Sequence, residues 1–565
     1  MLKLKSAITV ILSLLIALAL TGCYGKSNET SKPSSTPETK GSENNQPSTS
    51  VVEDQTLNLY AANEIPTLKT NGVIDGLSGT IMLNLYEGLY RVDPDQKIVP
   101  GVAKDHEVSA DGKTYTFHLR DDTKWSNGTP VTAHDFVFAW QRALHPDTLS
   151  PHSYEMDSIL NAAEIQNKDH ELYGKVESLG VKAIDDFTLE VQLKHAIPYF
   201  LDTVTNNTLF YPQNEEFLSS QGDKYALEPE NLIYNGPFIL DSWKHEEGWV
   251  LKKNPTYWDA GNVKIETINF KVVKDVSTGV NLYDSGSVDM TNVSSEFVDL
   301  YQGSPDLHSL IKREMYFIRF NLQNKYLSNV NIRKAIDMGW NKKEAAELIL
   351  KNGSIPAYYL IPEKMVTVTD GSDFRGKHGN FNDEGIEKAQ EYWQKGLEEL
   401  GTDKVELEFL SYDDGQRKSV AEYIKNQLEK NLPGLTLNIN QQPNKQKLAL
   451  EGQQEYDMSH SGWRSGIADP TDFMSIHLSD GPYNWQSYVS ADYDNLVKKA
   501  QVDFTNIEER FNNLQDAEQI LIEKDVVISP MYQASDAYLL KPYVKGFVAL
   551  PNSTFSYKWT YIEGK

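Results

Sequence analysis

The sequence predicts an α/β protein of more than one domain, and three observations carry that expectation. Its 565 residues are too many for one hydrophobic core and enough for two or three domains. Residues 405–439 carry a strand–helix–strand pattern. Val405, Leu407 and Phe409 alternate with Glu406 and Glu408, Val420, Ile424 and Leu428 recur every four residues, and alternation resumes at Leu435, Leu437 and Ile439 after Pro433-Gly434. A crossover of that length makes the two strands parallel. Residues 114–142 give a strand, a turn and a helix in direct succession. Tyr115, Phe117 and Leu119 alternate with polar residues, Asn127-Gly128 supplies turn chemistry, and Thr132 stands three positions before Asp135 as in a capping box. Phe136, Trp140 and Leu144 then follow at helical spacing.

From the N-terminus, Lys3 and Lys5 precede an apolar run, Ala7 to Leu20, closed by Leu20-Thr21-Gly22-Cys23. The pattern reads as a lipoprotein signal peptide over residues 1–22, with lipidation at Cys23. A membrane-spanning anchor is the weaker reading, because the run is about 14 residues and a span needs about 20. Two acyl chains on Cys23 suffice for stable anchoring. Cys23 is the only cysteine, so no intramolecular disulfide can form. Residues 23–50 are Ser, Thr, Asn, Pro, Lys and Glu with almost nothing apolar, a flexible tether that cannot bury a core. The net charge is −26, and −28 once Lys3 and Lys5 leave with the leader. A surface of that sign repels phosphate backbones and argues against nucleic acid as a partner. The 30 Tyr and 10 Trp suit a cleft for extended or stacked ligands, and an ordinary large core almost as well.

The folded part begins near Val51. Thr56–Tyr60 and Thr188–Leu193 alternate as strands, and Ile386, Ala389, Trp393 and Leu400 mark an amphipathic helix. The wording of several stretches is more specific than their periodicity. FHLRDDTKWSNGTPVTAHDFVFAWQR within residues 117–142 closely resembles the segment shared by bacterial extracellular solute-binding proteins of family 5, the oligopeptide- and dipeptide-binding lipoproteins of ABC importers. LNLYEGLYRVD (83–93), NGPF (235–238), KNPTYWD (253–259), Asn331–Ile336 and ISPMY (528–532) resemble the same family. The resemblance implies a two-lobed periplasmic-binding-protein-like fold whose lobes are joined by a hinge of crossing strands and close over a buried solute. It implies a first lobe made of residues 51–90, 211–312 and 531–565, an inserted small domain at 91–210, and a second lobe at 313–530. It further implies a monomer on the extracytoplasmic face of the cell membrane, a peptide ligand, a separate permease and ATPase as partners, and no cofactor.

In such peptide binders the backbone is held by strand-like pairing, the amino end by a carboxylate and the carboxylate end by cations. Ser459–Phe473, SHSGWRSGIADPTDF, resembles the strand and loop carrying the clamp. Gly462 would permit close backbone approach and Trp463 would wall a side-chain pocket. The position of the family's amino-clamping Asp is Gly466 here. Either another acid serves, or the ligand lacks the usual free amino end. Asp75, beside Gly76 in VIDGLS, falls where the family has a cleft acid and is the first substitute, with a loop-capping role as the competing reading. Asp469 belongs to the motif, as an acid the family keeps for structural reasons, and Tyr154 joins the ligand-binding set. For the carboxylate end, Arg417 matches a cationic cleft position and offers bidentate geometry. His460 falls where another cation is common, against an ordinary core histidine, and Lys351 falls near a third, against a solvated surface lysine. Asn444 and Glu451 carry neither the aromatic nor the cation seen in some peptide binders, so side-chain preference should differ.

Two other classes fare worse or stay open. A hydrolase lacks support: no G-x-S-x-G occurs, His106-Glu107 and His170-Glu171 lack the second histidine of H-E-x-x-H, and Gly371–His378 misses a phosphate loop by its last residue. No clustered Cys or His suggests a metal. A dedicated receptor for a signalling, cell-wall-derived or N-blocked peptide on the same fold remains an alternative, and Gly466 keeps it open.

Overall fold

In the computed structural model, residues 54–72 and 75–565 are described. The signal peptide, Cys23 and the tether lie outside the described residues. Among those described, the strands assemble into two four-stranded sheets, one seven-stranded sheet and three two-stranded pairings.

The first four-stranded sheet runs Thr56–Ala61, Thr267–Val272, Gly248–Lys253, Phe238–Lys244, with the first pair parallel and the rest antiparallel. Alternation places Leu57, Leu59 and Ala61 inward. The second sheet is antiparallel, in the order Ala103–Val108, Thr114–Leu119, Thr188–Gln192, Val181–Asp185. Tyr115, Phe117 and Leu119 are its buried residues. The helix expected after the turn is Ala133–Leu144, and Asp135 closes its first turn by accepting from the Thr132 N–H at 2.7 Å. Phe136, Ala139, Trp140 and Leu144 face inward, and Trp140 Nε1 donates to the Phe210 carbonyl at 3.1 Å. Both sheets drain into one continuous apolar core running from Leu57 to Phe270. The segment 91–210 therefore has its own sheet and shares its core.

The seven-stranded sheet runs Met290–Val293, Ile528–Leu540, Leu307–Phe320, Met458–Arg464, Val405–Tyr412, Leu435–Gln442, with Ile355–Pro356 against Ile528–Leu540. The strand–helix–strand reading holds: Val405–Tyr412 lies parallel to Leu435–Gln442, joined by the helix Gly415–Asn431, whose Val420, Ile424 and Leu428 are fully buried. Ile386–Leu400 is the expected amphipathic helix. Leu307–Phe320 and Ile528–Leu540 pair antiparallel from Leu307↔Leu539 to Arg319↔Ile528, with register shifts between Ile311 and Met315 and between Tyr316 and Phe317. At one end of this ribbon Leu310, Tyr538 and Leu540 join the first core. At the other, Ile318, Phe320 and Met531 pack into a second core, and Met315, Phe317 and Ile528 into a third. Even and odd positions of one strand thus feed different cores, as a period of two requires. The C-terminal residues return to the first core, where Asn84 Nδ2 donates to the Phe555 carbonyl at 2.8 Å. No helix among the described residues is long and apolar enough to cross a membrane.

Candidate functional site

The strand Met458–Arg464 carries most of the residues singled out from sequence. Gly462 stands opposite Tyr316, and a Cβ there would come within 2.9 Å of the Tyr316 ring. The close approach it permits is therefore that of an aromatic side chain on the adjacent strand. Tyr316 stacks on Tyr532 with ring centroids 5.0 Å apart and meets His460 edge-on at 5.5 Å. Tyr412 and Tyr532 also meet His460 edge-on, and Phe409 stacks on it. Burial drives the His460 pKa well below its ordinary value, and nearby Lys447 and Arg417 add to the drop. His460 is fully buried, so of its two readings the core histidine prevails over the ligand cation.

Arg417 fits its expected role better. It lies in the first turn of the helix Gly415–Asn431, whose cap Asp414 accepts from the Arg417 N–H and, at 2.6 Å, from its Nε. The guanidinium sits 3.7 Å from the centroid of the Tyr412 ring and stays partly open to solvent. Burial works against its charge, but Tyr316, Asp414 and Tyr412 hold its pKa above the ordinary arginine value.

Beside it lies a buried network that the sequence reading missed. Glu451 accepts from Arg319 Nε at 2.9 Å, from Lys447 Nζ at 2.5 Å and from Ser461 Oγ. Burial alone would raise its carboxyl, yet Lys447 and Arg319 hold it below the usual range. Burial draws the Lys447 ammonium down to about 8 against the pull of Glu451. The absence of a cation at position 451 is thus explained by an internal ion network. The signal available in sequence was the i, i+4 spacing of Lys447 and Glu451 on the helix Asn444–Gly452.

Past the strand, Trp463 donates its indole N–H to Asp472 Oδ2 at 3.4 Å and meets Tyr483 edge-on at 5.1 Å. Gly466 is exposed, and a Cβ added there would find nothing within 4 Å. Asp469 is buried. It accepts from Arg510 Nη2 at 2.8 Å and Thr471 Oγ1 at 2.5 Å while capping the turn Pro470–Met474, which makes it a structural acid and removes it from the ligand set. Asp472, three residues on, was not selected from sequence. Burial raises its carboxyl, and its partners are Trp463, Ser465 and the Gly466 N–H. Tyr154 is 57% exposed, and partial burial with Glu155, Tyr483 and Asp472 nearby pushes its phenol up to about 12.

The remaining candidates lie apart. Asp75 caps the helix Gly76–Leu85, accepting from the Leu77 and Ser78 N–H groups at 3.0 Å and from Ser78 Oγ at 2.6 Å. Its oxygens are committed, so the capping reading prevails over the cleft acid, and Gly76 is that helix's first residue. Lys351, at φ 54° past the helical turn Ala345–Leu350, pairs with Asp299 at 2.5 Å. It belongs to a surface ion pair. Of the ten, Arg417, His460 and Gly462 gather around Tyr316 and Tyr412, and Tyr154, Trp463 and Gly466 around Asp472.

This second group marks where the cores meet. Arg313 reaches Asp202 at 3.2 and 3.3 Å, and the Ala468 N–H donates to the same carboxylate at 3.3 Å. Asp202 stands between Phe200 and Val204 of the first core, and Ala468 leads into Phe473 and Met474 of the third.

The family model for bacterial extracellular solute-binding proteins, family 5 (middle part), matches residues 97–485. The dipeptide-binding protein DppE of Bacillus subtilis is 32% identical over 480 residues, covering 84% of this chain and 86% of its own. The substrate-binding domain of an oligopeptide ABC transporter from Bacillus anthracis superposes with a TM-score of 0.75 at 43% identity, covering 91% of this chain and 99% of that one. Peptide-bound OppA of Listeria monocytogenes gives 0.73 at 36% identity, over 90% of this chain and 99% of that one.

Proposed function

The chain belongs to the bacterial extracellular solute-binding proteins of family 5, and from that premise we propose that it captures peptides between its lobes and delivers them to the permease of an ABC importer. The relatives above carry peptide-binding names. The observation that carries the reading is the junction itself. Two sets of cores are joined by the long ribbon of Leu307–Phe320 and Ile528–Leu540, and between them Trp463, Tyr483 and Tyr154 bring aromatic side chains together beside an exposed glycine. Such a hinge suits closure around a solute. Strand-like backbone pairing would make the binding tolerant of side chains.

In this reading residues 51–90, 211–312 and 531–565 form one lobe with the 91–210 insertion, and residues 313–530 form the other. The protein acts as a monomer, binds without catalysis, and leaves the energy of transport to a separate ATPase. Cys23 carries the lipid that holds it at the extracytoplasmic face of the membrane. Arg417 receives the ligand's carboxylate, its charge fixed by Asp414 and its plane by Tyr412.

The test is native mass spectrometry of the protein purified without unfolding, with fragmentation of whatever co-purifies. A mixture of short peptides is the expected result. One defined species would favour the second reading, a dedicated receptor for a signalling, cell-wall-derived or N-blocked peptide, which the open space at Gly466 supports. An empty cleft that ignores peptide libraries would sink the peptide reading.

A further inference from the structure

One edge of the seven-stranded sheet is Leu435–Gln442, which pairs with Val405–Tyr412 on one side and with no strand on the other. The Val405 N–H reaches the Gly434 carbonyl at 3.0 Å, and the Asp413 N–H reaches the Gln442 carbonyl at 3.1 Å. Even-numbered backbone groups therefore face the neighbouring strand, and alternation turns those of 435, 437, 439 and 441 outward. An outward row of that kind is a template on which another strand can add.

The strand's own sequence does nothing to discourage this. LTLNINQQ has no charge, no proline and no glycine, and half of it is Asn and Gln. Such segments pair readily with their own copies, because identical residues stack and amide side chains form ladders. The edge strands of the small antiparallel sheet are charged instead. Ala103–Val108 carries Lys104, Asp105 and Glu107, and Val181–Asp185 carries Lys182 and Asp185.

What covers the uncharged edge comes from the helix Gly415–Asn431. Glu429 accepts from the Leu437 N–H at 2.9 Å, Lys425 Nζ donates to the Leu437 carbonyl, and the two side chains pair with each other at 2.6 Å. An ion pair thus takes both outward groups of Leu437. The Leu435 N–H is held by the Leu432 carbonyl at 3.1 Å, whereas Ile439 and Gln441 have no partner for their outward groups among the described residues. Beside them lies an open groove of about 530 Å³, lined by Glu422, Lys425 and Asn426 of the helix and by Leu437, Asn438 and Ile439 of the strand. Both paired side chains remain 31% exposed, and an ion pair open to water adds little stability, so the monomer does not depend on it.

We propose that Lys425 and Glu429 guard this edge against a second copy of the chain, and that without them two copies join antiparallel through Leu435–Gln442. A two-fold axis at Ile439 sets Leu437 opposite Gln441 and turns each outward N–H toward an outward carbonyl, so the strand is its own complement. The proposal stands apart from the ligand reading, since the edge is the same whatever the cleft binds.

The test is sedimentation velocity of the full chain over a concentration series, under reducing conditions so that Cys23, the only cysteine, cannot link copies. The wild type should stay monomeric. The double variant Lys425→Ala, Glu429→Ala should dimerise, with an association constant at least roughly tenfold above the limit for the wild type. Hydrogen exchange at the Ile439 and Gln441 amides should slow as that dimer forms. Adding Gln441→Pro should return the double variant to a monomer, because proline removes an outward N–H and is tolerated on a strand edge.

The proposal is overturned if the double variant, folded by circular dichroism, associates no more than the wild type, or if its dimer survives Gln441→Pro. Should the double variant not fold, Lys425→Ala alone frees the Leu437 carbonyl, and the same measurements on it decide the question.

Discussion

Two regions beside the strand Met458–Arg464 treat charge in opposite ways. Along its first half Arg319 and Lys447 converge on Glu451, and Arg417 on Asp414, so these two acids each meet a base. Beyond its last residue Asp472 meets only neutral donors, and Glu155 meets Asn207 and His152, with no lysine or arginine in ion-pair distance of either among the described residues. A finished network is a scaffold, because breaking one partner strands the other in a poorly solvated place. An unfinished one leaves room for a partner from outside, and this is why the junction draws the ligand hypothesis.

The comparison breaks most directly at the two acids of one turn. Asp469→Asn should cost about 3–5 kcal/mol in unfolding by denaturant, because Arg510 is fully buried and would keep its charge alone. Asp472→Asn should cost less than about 1 kcal/mol or stabilise, since it removes a desolvated charge with no cation to strand. Equal costs at the two positions would erase the distinction between finished and unfinished networks.

Arg417 tests whether the finished region also faces the ligand. Arg417→Ala should weaken a free-acid peptide by about 1.5–3 kcal/mol, the range of hydrogen bonds to charged groups, and its amide much less. Calorimetric titration with both would show it, and matching losses would return Arg417 to a purely structural part. Gly462→Ala should destabilise by about 1–3 kcal/mol in thermal melts, because the new methyl meets the Tyr316 ring at 2.9 Å and the Met315 carbonyl at 3.2 Å.

The smallest effect is expected at the other glycine of the segment. Gly466→Ala enters open space and should change stability by no more than about 0.5 kcal/mol. Gly466→Asp should favour free-amino peptides over N-blocked ones. Unchanged selectivity there would sharpen the comparison, because it would mean that Asp472 already holds the amino group.

What the sequence determined by itself are the features written in short-range order. Period two in residues 114–119 and 405–409, period three to four in 133–144 and 415–431, and the turn at Asn127-Gly128 all appear where expected, because each depends on neighbours a few positions away. Motif wording from residue 83 to 532 was enough for the family. The roles of individual charged residues were decided only by tertiary structure. Asp75 and Asp469 read alike as acids beside a glycine or a proline and both cap a helical segment, yet only Asp469 also pairs with an arginine, 41 positions away. Glu451 looked like a missing cation until Arg319, 132 positions distant, was found on it. His460 read equally as a cation or a core histidine, and burial among three tyrosines and a phenylalanine, which lowers its pKa well below the ordinary value, decides for the core. A buried group's charge depends on the whole of its surroundings, and those surroundings are assembled from residues far apart in the chain.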